Sequence, residues 1–224
     1  MTLIRRVPGG VASAHLDGFA RDRLPPRELW PDMDYSGVTE LMYPDRLNAA
    51  GELLDKGIAR WGNRVVFRSP GETVTYAQFL ARANQIANVL VDDLGLVPGN
   101  RVLLRGPNSP MMAALWFGVL KAGGIVVCTM PLLRTRELVF TADKAAIGLA
   151  FTDTRLGDEC EQAMRTRADG TPRAGARVVH FNAPDGVSGS ASLEQMMDGK
   201  PATFANVDTA ADDVALIAFT SGTT

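Results

Sequence analysis

"RVLLRGPNSPMMAALWFGVLKAGGIVVCTM", residues 101–130, decides the fold. Its first six residues form a short apolar run of the kind carried by a strand buried on both faces. Asn108 or Ser109 then offers a side-chain oxygen to cap a helix, and Pro110 falls in the first turn, where its missing N–H costs nothing. Met111, Met112 and Trp116 follow at helical spacing and read as core packing. Lys121 closes the helix near its C-terminus, where a cation is favoured, and Gly123-Gly124 ends it. "IVVCTM" is a second apolar strand. Strand, helix and strand in succession make a crossover between parallel strands.

The same alternation extends in both directions. Upstream, Leu47, Ala50, Leu54, Ile58 and Trp61 recur at helical spacing, with Asp45 placed to cap them. "RVVFRS" (64–69) and "ETVTY" (72–76) flank Pro70-Gly71 as strand, turn and strand. Thr75 and Gln78 form a capping box ahead of a helix whose apolar face carries Phe79, Ala83, Ile86 and Leu90. Downstream, a helix is predicted over 135–144, a strand at 147–152, a short helix near 155–166, and strands at 177–181 and 213–219. Residues 167–176 and 182–192 are rich in Gly, Pro, Ser and Asp and read as surface loops, and Asp212-Asp213 reads as a solvated turn. The fold class is α/β, a layered and mostly parallel sheet flanked by helices. Residues 1–44, with Pro25, Pro26, Pro31 and Pro44, read as an irregular arm laid over an α/β unit at 45–224.

Bulk composition excludes several functions. With 23 basic and 25 acidic residues the net charge is −2, so no footprint for nucleic acid is visible. Cys128, Cys160, His15 and His180 stand apart in no ligand spacing, so no zinc site is expected. The N-terminus lacks the continuous apolar core of a secretory signal, and "MMAALWFGVL" (111–120) is too short to span a bilayer. The expectation is a soluble cytoplasmic protein with no membrane contact.

The chain closes on "IAFTSGTT", residues 217–224. Active-site loops in α/β sheets lie where strands end. Gly222 admits close approach of a phosphate to the main chain, and Thr220, Ser221, Thr223 and Thr224 supply hydroxyl donors. This is not a Walker motif, which needs a lysine and a following helix. On these residues alone, a polar turn satisfied by its own hydroxyls is the simpler reading.

Three ordered segments change that weight. "FTSGTT" (219–224) resembles the first half of the phosphate-loop motif of the adenylate-forming enzymes, which continues Gly-x-Pro-Lys. "TVTYAQFLARANQIANVL" (73–90) resembles their early Thr-Tyr-x-x-Leu helix, and "GVLKAGGIVVCTMP" (118–131) their Leu-Lys-Ala-Gly segment. Within that superfamily, "YPDRLNAAGELLDKGIARWGNRVVF" (43–67) and "VCTMPLLRTREL" (127–138) are most similar to the aryl-acid CoA ligases of benzoate and 2-aminobenzoate type. The resemblance implies a two-step reaction with ATP, Mg²⁺ and CoA. An aromatic carboxylate attacks the α-phosphorus of Mg·ATP, and the CoA thiol then displaces AMP.

Position by position, Thr220, Ser221, Gly222, Thr223 and Thr224 match the loop that holds the β- and γ-phosphates. The family's remaining catalytic groups have no counterpart here, so no catalytic residue is assigned. The expectation is an N-terminal portion truncated within its phosphate loop, inactive alone and prone to self-association. Arg134 and Arg136 border the region that meets CoA in relatives, yet read more simply as a solvated helix N-terminus. Two other readings stay open. One is the same fold loading an amino or hydroxy acid onto a carrier-protein thiol; the other is a nucleotide-binding module without catalysis. An ordinary dinucleotide-binding fold fits poorly, because no G-x-G-x-x-G follows an early strand.

Overall fold

A computed structural model describes residues 11–31, 37–38, 42–187 and 189–220. Four strands form a parallel sheet: β3 (Arg101–Arg105), β4 (Ile125–Thr129), β5 (Leu149–Asp153) and β6 (Arg177–Phe181). Their order is β4-β3-β5-β6, with Val102 opposite both Val126 and Leu149, and Ala150 opposite Val178. The chain leaves β3 toward β4, then crosses back over β3 to reach β5. Right-handed crossovers that run in opposite directions must place their helices on opposite faces. Accordingly α3 (Tyr76–Asn88) and α4 (Pro110–Lys121) pack together, and α5 (Thr135–Lys144) and α6 (Gly157–Arg165) pack together.

Period-two alternation divides the core between the two faces. Val102, Leu104, Val126 and Phe151 join Phe79, Ile86, Leu115 and Val119 beneath α3 and α4. Leu103, Val127 and Ala150 join Ala142, Ile147, Cys160 and Met164 beneath α5 and α6. Every residue of β3 is buried. The first hairpin, β1 (Val65–Ser69) and β2 (Glu72–Thr75), pairs antiparallel at the α3 end of the molecule.

Local signals act as their chemistry dictates. The Thr75 hydroxyl accepts from Gln78 N while Gln78 Oε1 accepts from Thr75 N, which closes the capping box of α3. Ser109, not Asn108, caps α4 through a 3.1 Å bond from Met112 N. Gly123, at φ +73°, turns the chain from α4 into β4 in a conformation that side chains resist.

Four expectations are corrected: an unbroken helix over 47–61, its Asp45 cap, a strand over 213–219, and a solvated Asp213. The helix read over 47–61 is broken into α1 (Ala49–Leu53), a 3₁₀ turn at Asp55–Gly57, and α2 (Ile58–Trp61). Its cap is Asn48, not Asp45: Asn48 Oδ1 accepts from Ala50 N and Gly51 N while Nδ2 reaches Leu120 O and Val207 O. The break turns Asp55 onto α4, where its carboxylate holds Lys121 Nζ at 2.6 and 2.7 Å. Lys121 ends α4 as expected, and its side chain is fully buried. Burial pulls its pKa below the ordinary lysine value, and Asp55 opposes that shift.

The strand read over 213–219 is reduced to one parallel bridge, Leu216 to Val126, with bonds Val126 N to Ala215 O and Ile217 N to Val126 O. It lies outside β4, with no strand on its other side among the described residues, so Leu216 is 44% exposed rather than buried. Asp213 is not a solvated turn residue. It accepts from the Ser13 hydroxyl, Ala14 N and Ala210 N. One short helix, α7 (Leu193–Met197), has no counterpart in the sequence reading; Ser192 and Gln195 close its capping box.

The described part of the N-terminal arm docks across the N-terminal ends of the strands. Leu16 N and Asp17 N donate to Pro98 O, and the Asp17 carboxylate accepts from Asn100 and Arg101. The Arg101 guanidinium stacks 4.4 Å from the Phe19 ring centroid. Gly99, at φ +91°, leaves room for the arm, since a Cβ there would stand 2.3 Å from Asp17 O.

Asp55→Ala strands the buried Lys121 ammonium, and unfolding in urea should show a loss of about 3 kcal/mol. The double change Asp55→Ala with Lys121→Met should recover most of that loss.

Candidate functional site

All four strands and the 214–220 segment point the same way, so their following loops gather at one end of the sheet. The chain leaves β3 and β5 toward opposite faces, which opens a crevice between their C-terminal ends, the customary ligand position in such sheets. Thr220 lies at this end and is exposed. Ser221, Gly222, Thr223 and Thr224 lie outside the described residues.

Two buried polar nodes shape this end. The first is Arg105, the last residue of β3, 1% exposed. Its Nη1 donates to Leu133 O at 2.8 Å and its Nη2 to Pro131 O at 3.1 Å, which fixes the loop between β4 and α5. Burial pulls its pKa below the ordinary arginine value. The second is Asp153, the last residue of β5, whose side chain is fully buried. It accepts from Arg155 N, Nε and Nη2 at 3.0, 2.8 and 2.8 Å, and from Asn182 Nδ2 at 2.7 Å. Burial alone would raise the Asp153 pKa; the bonds from Arg155 and Asn182 outweigh it and hold the carboxyl low. Asn182 adopts φ +58°, and its N–H donates to Glu194 Oε1 at 2.7 Å. A polar chain from Arg155 to Glu194 therefore ties the ends of β5 and β6 to α7.

Arg134 and Arg136 begin α5 in solvent, as read. Arg134 also pairs with Glu159 at 3.2 Å. Glu159 in turn accepts from Thr135 N and its hydroxyl; these bonds, more than Arg134, lower its pKa.

Beside these nodes lies a cavity of about 630 Å³. Its floor is Cys128 and Thr129 at the end of β4, and one wall is the first turns of α4 with Met112 and Trp116. The β1 residues Phe67 and Arg68 form the opposite wall. Met112 and Trp116 thus pack on the core, as expected, and also face this space. Among the described residues no group of three His, Cys, Asp or Glu is placed to hold a metal ion, and no helix is long and apolar enough to cross a membrane.

A family model described as "AMP-binding enzyme" matches residues 54–224. The chain belongs to the AMP-binding enzyme family. Its α/β sheet flanked by helices is that of the N-terminal domain of adenylate-forming enzymes. The crystal structure of the anthranilate CoA ligase AuaEII in complex with anthranoyl-AMP superposes with a TM-score of 0.71 at 21% identity, over 85% of this chain and 33% of that one. A long-chain-fatty-acid–CoA ligase of Escherichia coli O157:H7 is 26% identical over 88% of this chain and 39% of its own length. A 3-hydroxybenzoate–CoA/4-hydroxybenzoate–CoA ligase of Thauera aromatica is 26% identical over 84% of this chain and 35% of its own. The chain thus spans about two-fifths of the length of the curated relatives it matches.

Arg105, Asp153 and Asn182 were not singled out in the sequence. The available signal was position: a charged residue closing an apolar strand run has its side chain at the sheet's C-terminal end.

Burial in the cavity floor raises the Cys128 thiol to about 11. At pH 8 about a thousandth is thiolate. Alkylation by iodoacetamide, followed by peptide mass spectrometry, should therefore be slow at pH 8 and rise about tenfold per pH unit to pH 10.

Proposed function

We propose that this chain is the N-terminal portion of an ATP-dependent acid–CoA ligase acting in the cytoplasm on an aromatic carboxylate of benzoate or 2-aminobenzoate type. The observation that carries the reading is the sequence Thr220-Ser221-Gly222-Thr223-Thr224, which follows a segment bridged in parallel to β4 and whose one described residue, Thr220, stands at the end of the sheet where strand-end loops converge. In this reading those five residues hold the β- and γ-phosphates of Mg·ATP through hydroxyl and main-chain N–H donors. In-line attack of the carboxylate on the α-phosphorus gives acyl-AMP and pyrophosphate, and the CoA thiolate then displaces AMP. Neutralising and positioning the phosphates is the main protein contribution to such a step. Residues 45–224 form the α/β portion of the adenylation domain, with 1–44 as its arm.

The aromatic choice rests on "VCTMPLLRTREL" (127–138) and is supported by the hydroxybenzoate ligase among the relatives. The fatty-acid ligases stand as the competing acid class.

Pyrophosphate exchange by the whole protein that carries this chain tests the reading. Benzoate or 2-aminobenzoate should support exchange with a higher kcat/KM than octanoate or palmitate, and Ser221→Ala should lower it roughly 100-fold. A preference for fatty acids would overturn the aromatic assignment. No exchange with any acid would overturn the ligase reading. The 224-residue chain alone should give no exchange above background.

The same chain should self-associate. The outer edge of 214–220 has no strand partner among the described residues, and Leu216 on that segment and Phe140 on α5 are 44% and 59% exposed. Light scattering should show a mass that rises with concentration; a concentration-independent monomer would count against this.

A further inference from the structure

The stretch Val214-Ala215-Leu216-Ile217-Ala218-Phe219 is apolar at every position. A slip of one residue exchanges the two faces of a strand, and here both phases are apolar, so hydrophobic alternation cannot choose between them. One phase is nevertheless selected: Ile217 and Phe219 pack with Leu103, Val127 and Ala142, while Leu216 of the other phase is 44% exposed. The sheet contributes a single bridge to that choice, Val126 to Leu216, with bonds Val126 N to Ala215 O at 3.0 Å and Ile217 N to Val126 O at 2.9 Å. Upstream, Leu47 N donates to Thr209 O and Ala211 N to Asp45 O, but a turn at 211–213 separates this anchor from the segment.

Asp213, immediately before the segment, supplies a reference from outside the sheet. Its Oδ2 accepts from Ala14 N at 3.0 Å and from Ala210 N at 2.9 Å, and its Oδ1 accepts from the Ser13 hydroxyl. The Ser13 oxygen in turn accepts from His15 N at 3.1 Å. The arm that carries these donors is fixed to the sheet by contacts that do not involve the segment. Leu16 N and Asp17 N donate to Pro98 O, the Asp17 carboxylate accepts from Asn100 and Arg101, and His15 is buried against Gly99. A carboxylate that must meet three donors at hydrogen-bond distance cannot shift by the ~3.3 Å that separates successive strand residues.

We propose that Asp213 is a positioning residue for the phosphate loop: held by Ser13 and Ala14 of the arm, it locks the register of the 214–220 segment on β4 and so sets where the turn after Thr220 begins. The arm thereby becomes part of the machinery of the nucleotide site without touching nucleotide. The role of the loop rests on the ligase reading; the register lock is a property of this chain and needs no ligand.

Amide hydrogen exchange and pyrophosphate exchange, both on the whole protein that carries this chain, test the proposal. Ser13→Ala removes one charge-assisted bond to Asp213, and exchange at the Ile217 and Val126 amides should speed up about tenfold. Amides of the ladder between β3 and β5 should be unchanged. Asp213→Asn, whose amide group cannot accept from all three donors, should speed the same two amides at least as much. Ser13→Thr keeps the hydroxyl and should restore the original rates. In pyrophosphate exchange, Ser13→Ala should raise the KM for ATP about fivefold and leave the KM for the carboxylate unchanged, a split that general loss of stability would not produce. Unchanged amide exchange in Ser13→Ala and Asp213→Asn, no restoration by Ser13→Thr, an unchanged KM for ATP, or equal rises in both KM values would each overturn the proposal. Absence of pyrophosphate exchange in the unmodified protein would instead overturn the ligase reading, and the rates at Ile217 and Val126 would still decide the register lock.

Discussion

β3 is buried along its whole length yet begins and ends with an arginine, and the arrangement of the molecule follows from how those two charges are satisfied. A guanidinium held in the interior needs its donors filled, because each unmade bond there is expensive. Arg101 fills them at the N-terminal end with Gly99 O, Ala145 O, Ala146 O and the Asp17 carboxylate. Arg105 meets Leu133 O and Pro131 O at the C-terminal end through its two Nη groups, while its Nε is buried without a hydrogen-bond partner. Each arginine thereby binds the central strand to chain segments that the sheet's own ladder does not reach. One fixes the arm and the turn before β5; the other fixes the loop after β4.

The apolar alternation of the strands sets the faces, but it leaves the strand-end loops free. At β4 the Arg105 guanidinium removes that freedom, and at β5 and β6 the buried Asp153 carboxylate does so through Arg155 and Asn182. Both nodes use charge-assisted bonds: Arg105 to two main-chain carbonyls, and Asp153 to the Arg155 guanidinium and N–H and to the short Asn182 amide. The site end of the sheet is thus built from polar atoms anchored beneath the surface, with exposed arginines such as Arg134 at the rim. This is how one layered fold presents a preformed set of loops rather than a mobile fringe.

Much of this was legible in residues 101–130, where cap, first-turn proline, glycine pair and two apolar runs all specify one crossover. Agreement among local signals made β3, α4 and β4 readable, and the same held for the Thr75 box. Reading failed where tertiary contacts overrode a local pattern. The 47–61 periodicity is real, but Asp55 is drawn to Lys121 and the helix breaks to let it turn. The apolar character of 214–219 predicted a buried strand, yet burial depends on a second neighbour, and periodicity carries no information about whether one is present. Arg105, Asp153 and Asn182 escaped notice because a single charged or amide residue at a strand end looks like a solvated terminus until its partners, distant in sequence, are known.

The position of Thr220 is set far from its own loop. The segment that delivers it touches the sheet through one bridge at Val126, too little to fix a strand by itself. Two further contacts complete the constraint. Phe219 packs edge-on to Phe140 of α5, with centroids 6.3 Å apart, and Asp213 at the start of the segment is held by Ser13 and Ala14 of the arm. The same arm is pinned to β3 through Asp17 and Arg101. The arm therefore spans from the base of β3 to the base of the 214–220 segment and braces both against β4, which lies between them. An irregular stretch, without strand or α-helix among its described residues, thus aligns the one segment that the sheet ladder leaves underdetermined, the segment that precedes Ser221-Gly222-Thr223-Thr224 in the sequence.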